Sequence, residues 1–373
     1  MKIDWPNLRR QHASLQKELK QAFAEILESG IFVLGPQLKQ FETEIANYVG
    51  RKYGVGVKSG TDALFLSLRA MEIGPGDEVI TTPFTFVSTV EVVAQLGATP
   101  VFCDIDPTTF NINADAVKSR ISTKTRAVIP VHLYGQAADL LLLMDVSKAH
   151  GLRVIEDAAQ AVGAEYKGKK VGAWGDTACV SFYPTKNLSC LGDGGIIVTD
   201  DEQLMEILRR LRVHGSSEQY RYISLGYSNR LDELQAAFLR IKLRHLDEWN
   251  RRRRILAKKY DEALAEYVQI PVVDAEAHHV YHQYTIRTNQ RDSLRSFLGD
   301  QGIRTGVYYP LPLHLQPAYS HLGYRKGDFP NAEAASEEVL SLPIDPYLSD
   351  DEQNWVIAKV QNFFEMGSTQ RRG

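Results

Sequence analysis

The first two-thirds of the sequence predicts an α/β fold with a mainly parallel β-sheet covered by helices on both faces. Short apolar runs alternate with amphipathic helical stretches, and turns rich in Gly, Pro and Asp separate them. The predicted strands are residues 53–58, 78–83, 100–103, 126–133, 153–156, 178–182 and 195–199. The predicted helices are residues 62–72, 88–96, 114–120 and 139–150. Sheets of this kind bind ligands at the carboxyl ends of their strands.

The pattern changes after about residue 231. Residues 231–264, rich in Arg, Lys and Leu, predict one long helix, in which the basic run 251–254 is expected to be a solvated face or a subunit contact. A smaller α+β segment follows, with strands predicted at residues 282–287 and 306–309. We therefore expect a large domain over residues 1–245 and a small C-terminal domain over residues 246–373.

Composition limits the classes of partner. The chain has 373 residues and a net charge of −3, and this slight acidity argues against nucleic acid or an anionic membrane surface. The first six residues include an acid and a proline where a signal peptide needs an apolar stretch. No apolar run approaches the roughly 20 residues of a membrane span. We expect a cytoplasmic protein that binds neither nucleic acid nor a membrane.

The cysteines and histidines show no pattern typical of a metal site. The three cysteines are odd in number and lack metal-ligand spacing. Cys103 and Cys179 lie in apolar strand-like runs, which predicts buried, reduced thiols. His132, His214 and His314 have no metal-like pairing in the sequence. We therefore expect no bound metal.

A short polar run, Ser59-Gly60-Thr61-Asp62, links the first predicted strand to the first predicted helix. Glycine lets backbone N–H groups approach a ligand, and the start of a helix favours a phosphate group. Ser, Thr and Asp are also good helix caps, whatever else they do. The run therefore predicts either a phosphate site or an ordinary cap.

Three other residues follow predicted strand ends. Asp157 could face the ligand cleft and hold a pyridinium nitrogen protonated, but it would equally suit magnesium, a ribose hydroxyl or a helix cap. Lys186 precedes a glycine-rich loop, and burial there would lower its pKa and make it a nucleophile able to form a Schiff base. Phe86 could stack on a planar cofactor ring or pack in the core.

Several motifs, in their order along the chain, resemble the sugar aminotransferases of the DegT/DnrJ/StrS type, which have the aspartate aminotransferase fold. The similarity runs from Gly35-Pro36 to Leu342-Pro343, nearly the whole chain. The motifs are Ser59-Gly60-Thr61-Asp62-Ala63-Leu64, Pro83-Phe84-Thr85-Phe86, Glu156-Asp157-Ala158-Ala159-Gln160, Ser181-Phe182-Tyr183-Pro184-Thr185-Lys186-Asn187 and Arg230-Leu231-Asp232-Glu233-Leu234-Gln235-Ala236-Ala237. The resemblance implies a three-layer large domain that binds pyridoxal 5′-phosphate (PLP).

The resemblance also implies a role for each matching residue. Lys186 bonds covalently to PLP and moves a proton during the reaction, and Asp157 pairs with the pyridine nitrogen. Phe86 stacks on the ring, and Gln160 contacts the ring hydroxyl. The groups implied to hold the phosphate are Gly60, Thr61, Asp62 and the Ser181 hydroxyl. Family members are homodimers in which a partner subunit completes each site.

One run departs from the family pattern. The family usually has Gly-Tyr-Asn-Ser-Arg, whose Asn reaches across the dimer to the phosphate, whereas this chain has Gly226-Tyr227-Ser228-Asn229-Arg230. Ser228 stands in the usual Asn place, and its shorter side chain can still donate one hydrogen bond. Ser228 and Asn229 are therefore both candidates for this contact.

The loop that follows Lys186 resembles that of enzymes that aminate C-3 of a nucleotide-linked hexose, whereas C-4 enzymes tend to carry a Thr-Gly-Glu-Gly-Gly run. We expect amino transfer from L-glutamate to the C-3 keto group of a dTDP-linked keto-deoxyhexose, in amino-sugar biosynthesis. Tyr183, Tyr308 and His314 are candidates for substrate contact or for shaping a loop. The alternatives are a C-4 or keto-cyclitol aminotransferase and a regulatory protein on the same fold.

Overall fold

The computed structural model describes residues 1–370, with side chains described as far as Met366. Most strands are short and lie between helices. In chain order the strands are β1 (Tyr53–Val57), β2 (Glu78–Thr81), β3 (Thr99–Phe102), β4 (Thr125–Val128), β5 (Arg153–Asp157), β6 (Glu165–Tyr166), β7 (Lys169–Lys170), β8 (Thr177–Ser181), β9 (Gly195–Thr199), β10 (Ser216–Glu218), β11 (Arg221–Tyr222), β12 (Ala277–His278), β13 (Tyr284–Arg287) and β14 (Val339–Leu342).

The helices range from a single turn to the long C-terminal helix. The α-helices are α1 (Leu8–Ser14), α2 (Gln16–Ser29), α3 (Pro36–Val49), α4 (Gly60–Ala70), α5 (Ser88–Gln95), α6 (Ala114–Arg120), α7 (Leu140–His150), α8 (Glu202–Leu211), α9 (Glu233–Leu243), α10 (Leu246–Leu264), α11 (Arg291–Asp300), α12 (Pro330–Glu338) and α13 (Asp350–Gln370). The 3₁₀ helices are Leu133–Gly135, Leu313–Leu315 and Pro317–Leu322. Within residues 1–370, no helix is both long and apolar enough to cross a membrane.

The large sheet has seven strands in the order β1-β9-β8-β5-β4-β2-β3. Only β9 runs antiparallel to its neighbours β1 and β8, and the remaining pairs are parallel. Side chains of β8 alternate between two buried clusters, with Ala178 and Val180 in one and Cys179 in the other. Helices α3 and α9 contribute to the first cluster, and α4 and α8 contribute to the second. The predicted α/β fold with a mostly parallel, doubly covered sheet is confirmed.

The cysteines also agree with the sequence prediction. Cys103 and Cys179 are buried and free of disulfides, as is Cys190. Burial raises the pKa of the Cys103 thiol to about 12, so it stays protonated near neutral pH. These thiols behave as small apolar side chains of the core.

Two predicted strands are shorter than expected or absent. Residues 126–133 were predicted as one strand, but β4 ends at Val128, and Val131 forms only an isolated bridge to Asp157. Residues 306–309 form no strand, because only Gly306 bridges to Ser341. Tyr308 and Tyr309 instead pack against a buried apolar cluster that includes Phe84 and Phe102. The strand β14, which the sequence analysis missed, takes that place beside β13.

The single helix predicted over residues 231–264 is wrong. It divides into α9 and α10, with Arg244 and His245 between them. The two helices pack on different partners, α9 against α3 and α10 against α13, so the chain must change direction there. The basic run is not wholly solvated either: Arg253 is buried and donates to the carbonyl oxygens of Tyr281 and Ile344 at 3.1 and 2.8 Å.

Candidate active site

The candidate site lies where β5 and β8 end, next to the start of α4. These neighbouring strands are parallel, so their carboxyl ends reach the same edge of the sheet and bring Asp157 close to Ser181. A Cβ atom added to Gly60 would lie 2.6 Å from the Ser181 Cβ atom, so only glycine allows this approach of α4 to β8. The fold thus brings Gly60, Asp157 and Ser181, which are far apart in sequence, to one edge.

The start of α4 combines a helix cap with free backbone donors. The Ser59 hydroxyl oxygen accepts a hydrogen bond from the Asp62 amide at 3.0 Å, and the hydroxyl donates to Asp62 Oδ2 at 2.5 Å. The first N–H groups of a helix have no partner within that helix and attract anions. The Thr61 hydroxyl lies 2.7 Å from the Ser88 hydroxyl on α5. Capping and phosphate binding, which the sequence left as alternatives, are therefore compatible here.

Asp157, the last residue of β5, is buried beneath the edge. Its Oδ2 accepts a hydrogen bond from the Thr89 hydroxyl at 2.8 Å, and its Oδ1 accepts one from the Ala159 amide at 3.2 Å. Burial raises the pKa of the Asp157 carboxyl above its ordinary value, while these hydrogen bonds and the nearby Lys186 lower it. Sequence reasoning missed Thr89, because a threonine in the first turn of a helix is common.

Lys186 lies in the turn that follows β8. Its amide donates to the Tyr183 carbonyl at 2.8 Å, and the next side chain, Asn187, anchors the turn by donating to Asn250 Oδ1 at 2.8 Å. Burial lowers the pKa of the Lys186 amine to about 8, and the Asp157 carboxylate opposes this shift. An appreciable fraction of the amine is therefore neutral, and nucleophilic, near physiological pH.

An aromatic and an amide side chain complete the edge. The Phe86 ring is 54% exposed and its centroid lies 6.3 Å from that of Tyr309. Gln160 is buried, where its Oε1 accepts from the Tyr134 amide at 2.8 Å and its Nε2 donates to the Tyr309 hydroxyl at 3.2 Å. Tyr309 was missed by the sequence analysis, which selected its neighbour Tyr308. In the sequence, only the run Tyr308-Tyr309-Pro310 indicates an aromatic side chain near the site, and it does not indicate which of the two rings faces the site.

The three residues predicted to contact substrate lie in different surroundings. Tyr183 is 53% exposed beside Lys186. Tyr308 is half-buried, accepts a hydrogen bond at its carbonyl from the Tyr134 hydroxyl and packs edge-on to Trp5. His314 is buried, its Nε2 lies 3.0 Å from Glu333 Oε1, and its ring packs on Phe329. None of the contacts that the structure gives His314 is to a predicted site residue.

The chemistry of these groups fits PLP. The amine of Lys186 suits the aldehyde, the Asp157 carboxylate suits the ring nitrogen, and the start of α4 suits the phosphate. The exposed Phe86 ring offers an apolar face of the size of the pyridine ring. The Nε2 group of Gln160 carries two hydrogen atoms. One is donated to the Tyr309 hydroxyl, and the other can be donated to a ring hydroxyl of the cofactor.

Comparison with protein families decides the identity. The DegT/DnrJ/EryC1/StrS aminotransferase family matches residues 13–361. The chain belongs to this family. It is a PLP-dependent sugar aminotransferase, and the family that the sequence motifs resemble is confirmed. Similar solved structures include chains with the cofactor bound in its pyridoxamine form, which confirms the predicted cofactor.

Curated relatives of this aminotransferase cover nearly its whole length. A pleiotropic regulatory protein of Geobacillus stearothermophilus is 49% identical over 98% of this chain and 99% of its own. A UDP-N-acetyl-3-dehydro-α-D-glucosamine 3-aminotransferase of Acidithiobacillus ferrooxidans is 46% identical over 94% and 95%. A dTDP-3-amino-3,4,6-trideoxy-α-D-glucose transaminase of Streptomyces venezuelae is 44% identical over 98% and 97%.

A solved structure shares the fold closely. The crystal structure of DesV from S. venezuelae, in complex with a ketimine intermediate, superposes with a TM-score of 0.96 at 44% identity. The match covers 98% of this chain and 99% of DesV. The predicted aspartate aminotransferase-like architecture is therefore confirmed for this sugar aminotransferase.

Ser228 and Asn229, whose order is reversed relative to the family pattern, lie in different surroundings. Asn229 is buried, and its side-chain amide donates to Asp62 Oδ1 of the same chain at 2.8 Å. Ser228 is exposed, and its hydroxyl oxygen accepts from Arg230 at 2.8 Å. Asn229 thus supports the start of α4 in the same chain, and Ser228 lies at the surface.

Proposed function

We propose that this chain transfers the amino group of L-glutamate to the C-3 keto group of a dTDP-linked keto-deoxyhexose. The observation that carries the proposal is the placement of Lys186 and Asp157 at one strand edge, close enough that each shifts the other's pKa. A regulatory or structural site has no need of a nucleophilic amine beside a buried carboxylate. The combination is what amino transfer requires.

Each side chain then has a physical task. When bound, PLP supplies an electron sink that makes the α-proton of the amino donor removable. Asp157, ionised and held by Thr89, keeps a proton on the ring nitrogen. The Lys186 amine, with its pKa near 8, takes a proton from carbon in one half of the reaction and returns one in the other. Gly60 and Thr61 orient the phosphate through the start of α4.

The proposed position and nucleotide rest on sequence similarity. The loop after Lys186 resembles that of C-3 enzymes, and two relatives have names that describe C-3 amino sugars. One of these names specifies a UDP sugar and the other a dTDP sugar. We propose dTDP because the dTDP-named relative covers the greater share of this chain.

A panel of substrates tests the proposal directly. The purified chain, loaded with PLP, is incubated with L-glutamate and dTDP- or UDP-linked hexoses that carry the keto group at C-3 or C-4. We expect 2-oxoglutarate to form fastest with the dTDP-linked 3-keto sugar, and NMR of the product to place the amino group at C-3. Preference for a 4-keto sugar, or for a UDP sugar, would correct the position or the nucleotide respectively.

We also propose that the chain works as a homodimer. Six apolar side chains are exposed on α2 and the segment that follows it, and exposed apolar side chains that lie near one another are typical of a protein–protein interface. These residues are Phe23, Leu27, Ile31, Phe32, Val33 and Leu34. Light scattering should report twice the chain mass, and Leu27→Glu should lower it to that of one chain. A wild-type chain that is monomeric at micromolar concentration would contradict the proposal.

A second candidate function is regulation, favoured by the name of the G. stearothermophilus relative. A regulator that had lost its chemistry would be expected to lack the site residues, whereas Lys186, Asp157, Gln160 and Ser181 are all present. Purified protein that stays colourless after PLP addition would favour regulation over catalysis.

The cytoplasmic location stays a prediction.

A further inference from the structure

The first turn of α5 and the loop before it contact three parts of the candidate active site. Phe86 presents its ring at the edge, and its carbonyl accepts from the Thr89 amide at 3.3 Å. The Ser88 hydroxyl lies 2.7 Å from Thr61 at the phosphate end. The Thr89 hydroxyl donates to Asp157 Oδ2 at 2.8 Å. One turn therefore links the phosphate end of the site to the carboxylate beneath it.

The hydrogen atoms of this turn can be assigned. When Asp157 is ionised it only accepts hydrogen bonds, so the Thr89 hydroxyl then donates its single proton to it. The Thr85 and Thr89 hydroxyl oxygens lie 3.1 Å apart, so Thr85 must be the donor in that contact. Thr85 and Thr89 are both buried, which keeps bulk water from replacing either hydroxyl. A chain of two hydroxyl groups thus points at Asp157.

We propose that Thr89 is a positioning residue for Asp157: its hydroxyl, oriented by Thr85, holds the carboxylate ionised and aimed at the cofactor nitrogen. The inference rests on the proposed function, since it takes Asp157 as the partner of that nitrogen. Oδ1 is held separately by the Ala159 amide at 3.2 Å, so loss of Thr89 frees one oxygen while the other stays tethered.

The physical reason is the cost of burying a carboxylate. Burial raises the pKa of the Asp157 carboxyl, and the hydrogen bond from Thr89 opposes that rise. Without the hydroxyl, a larger fraction of Asp157 is protonated at neutral pH, and a protonated carboxyl attracts a pyridinium nitrogen less. Removal of the Thr89 hydroxyl should therefore lower the affinity only for a ligand that has the pyridine nitrogen.

Equilibrium binding to the cofactor-free chain tests this. The dissociation constants of PLP and of an analogue with carbon in place of the ring nitrogen are measured by fluorescence for wild type and Thr89→Val. We expect wild type to prefer PLP, and Thr89→Val to reduce that preference about tenfold, the size of one hydrogen bond to a charged group. Thr89→Ser keeps the hydroxyl and should keep most of the preference.

Two further variants separate positioning from general damage. Thr81 is as fully buried as Thr89, but its hydroxyl donates to the Ile129 carbonyl at 2.9 Å. Thr81→Val should lower the melting temperature and leave the preference for PLP unchanged. Thr85→Val should reduce the preference less than Thr89→Val does, and it carries the test if Thr89→Val does not fold.

The outcomes are distinct. If Thr89→Val leaves the preference for PLP over the analogue unchanged, whether or not it weakens the binding of both, the role of Thr89 is overturned and the proposed function stands. Wild-type protein that binds both compounds equally overturns the role of Asp157, and with it this inference. Wild-type protein that binds neither compound contradicts the proposed function itself.

Discussion

Two lysines of this aminotransferase have similarly lowered pKa values in very different surroundings. Burial lowers the pKa of both Lys186 and Lys242 to about 8. Lys186 is half-buried in the turn after β8, where the Asp157 carboxylate acts on it. Lys242 is completely buried on α9, where its Nζ donates to the Ser189 carbonyl at 2.7 Å and lies 3.3 Å from His12 Nε2.

The difference shows that a lowered lysine pKa does not by itself identify a catalytic lysine. A nucleophile needs a neutral amine and also a path to its substrate, and only Lys186 has both. Lys242 has no solvent-accessible surface, so its low pKa reports the cost of burial alone. Four predictions test this comparison.

The largest expected effect is that of Lys186→Ala. Turnover should fall by at least about 10⁴-fold, because the variant loses both the proton carrier and the covalent link to PLP. The absorbance band of covalently attached PLP should vanish with it. Lys242→Met, the matched control, should keep the band and most of the activity. A yellow, active Lys186→Ala protein would rule out the assignment.

The next effect is that of Asp157→Asn, which removes the carboxylate that distinguishes the surroundings of Lys186 from those of Lys242. Loss of this charge should lower turnover by about 10²–10³-fold, the size typical of a removed electrostatic contact in an active site. It should also lower the pKa of Lys186 further, because Asp157 raises that pKa. Stopped-flow turnover and pH titration measure the two effects, and an unchanged kcat would exclude Asp157 from the reaction.

The third effect is the pH dependence of PLP attachment to the cofactor-free chain. Only the neutral amine attacks, and its fraction rises about tenfold per pH unit below the pKa and levels off above it. With a pKa of about 8, the attachment rate should rise steeply between pH 6 and 8 and flatten beyond. Lys242→Met should show the same profile. If the pH profile shifted in Lys242→Met, the titrating group would be Lys242 and not Lys186.

The smallest effect is on stability. The pKa of Lys242 is about 8 when folded against an ordinary value of 10.5, so the unfolded chain binds more protons between these values and stability rises with pH there. The gap corresponds to about 3 kcal/mol. Relative to Lys242→Met, wild type should therefore gain up to this amount in unfolding free energy between pH 7 and pH 10.5. Urea unfolding of both proteins at the two pH values measures it, and a constant difference would show that Lys242 is not desolvated.

Much of the site could be predicted because its residues stand in short runs at strand ends. Asp157 ends a strand whose central residues, Val154 and Ile155, are apolar, and Lys186 follows another strand, so the pattern of strands already brings them to one edge. The glycine at position 60 was similarly visible, and its contact with Ser181 explains it. Local sequence suffices where the strand itself positions the residue.

Other residues could not be predicted because distant packing decides them. Thr89 and Tyr309 look ordinary in the sequence, and each acquires a partner only when α5 or the 306–310 segment folds over the sheet. His314, a candidate for substrate contact or for shaping a loop, is buried beside Glu333, a partner 19 residues away that the local sequence does not mark. The break between α9 and α10 carries neither proline nor glycine, so nothing local marked it.

The amino-acid sequence by itself determined the α/β class, the family, and the lysine and carboxylate that identify the chemistry, because short apolar runs and the residues shortly after them are local features. Only the tertiary structure decided which of two neighbouring tyrosines meets Gln160, that the Asn229 side chain donates to Asp62, and that Lys242 is buried. Those outcomes depend on which surfaces cover each other, and a covering surface comes from a remote part of the chain.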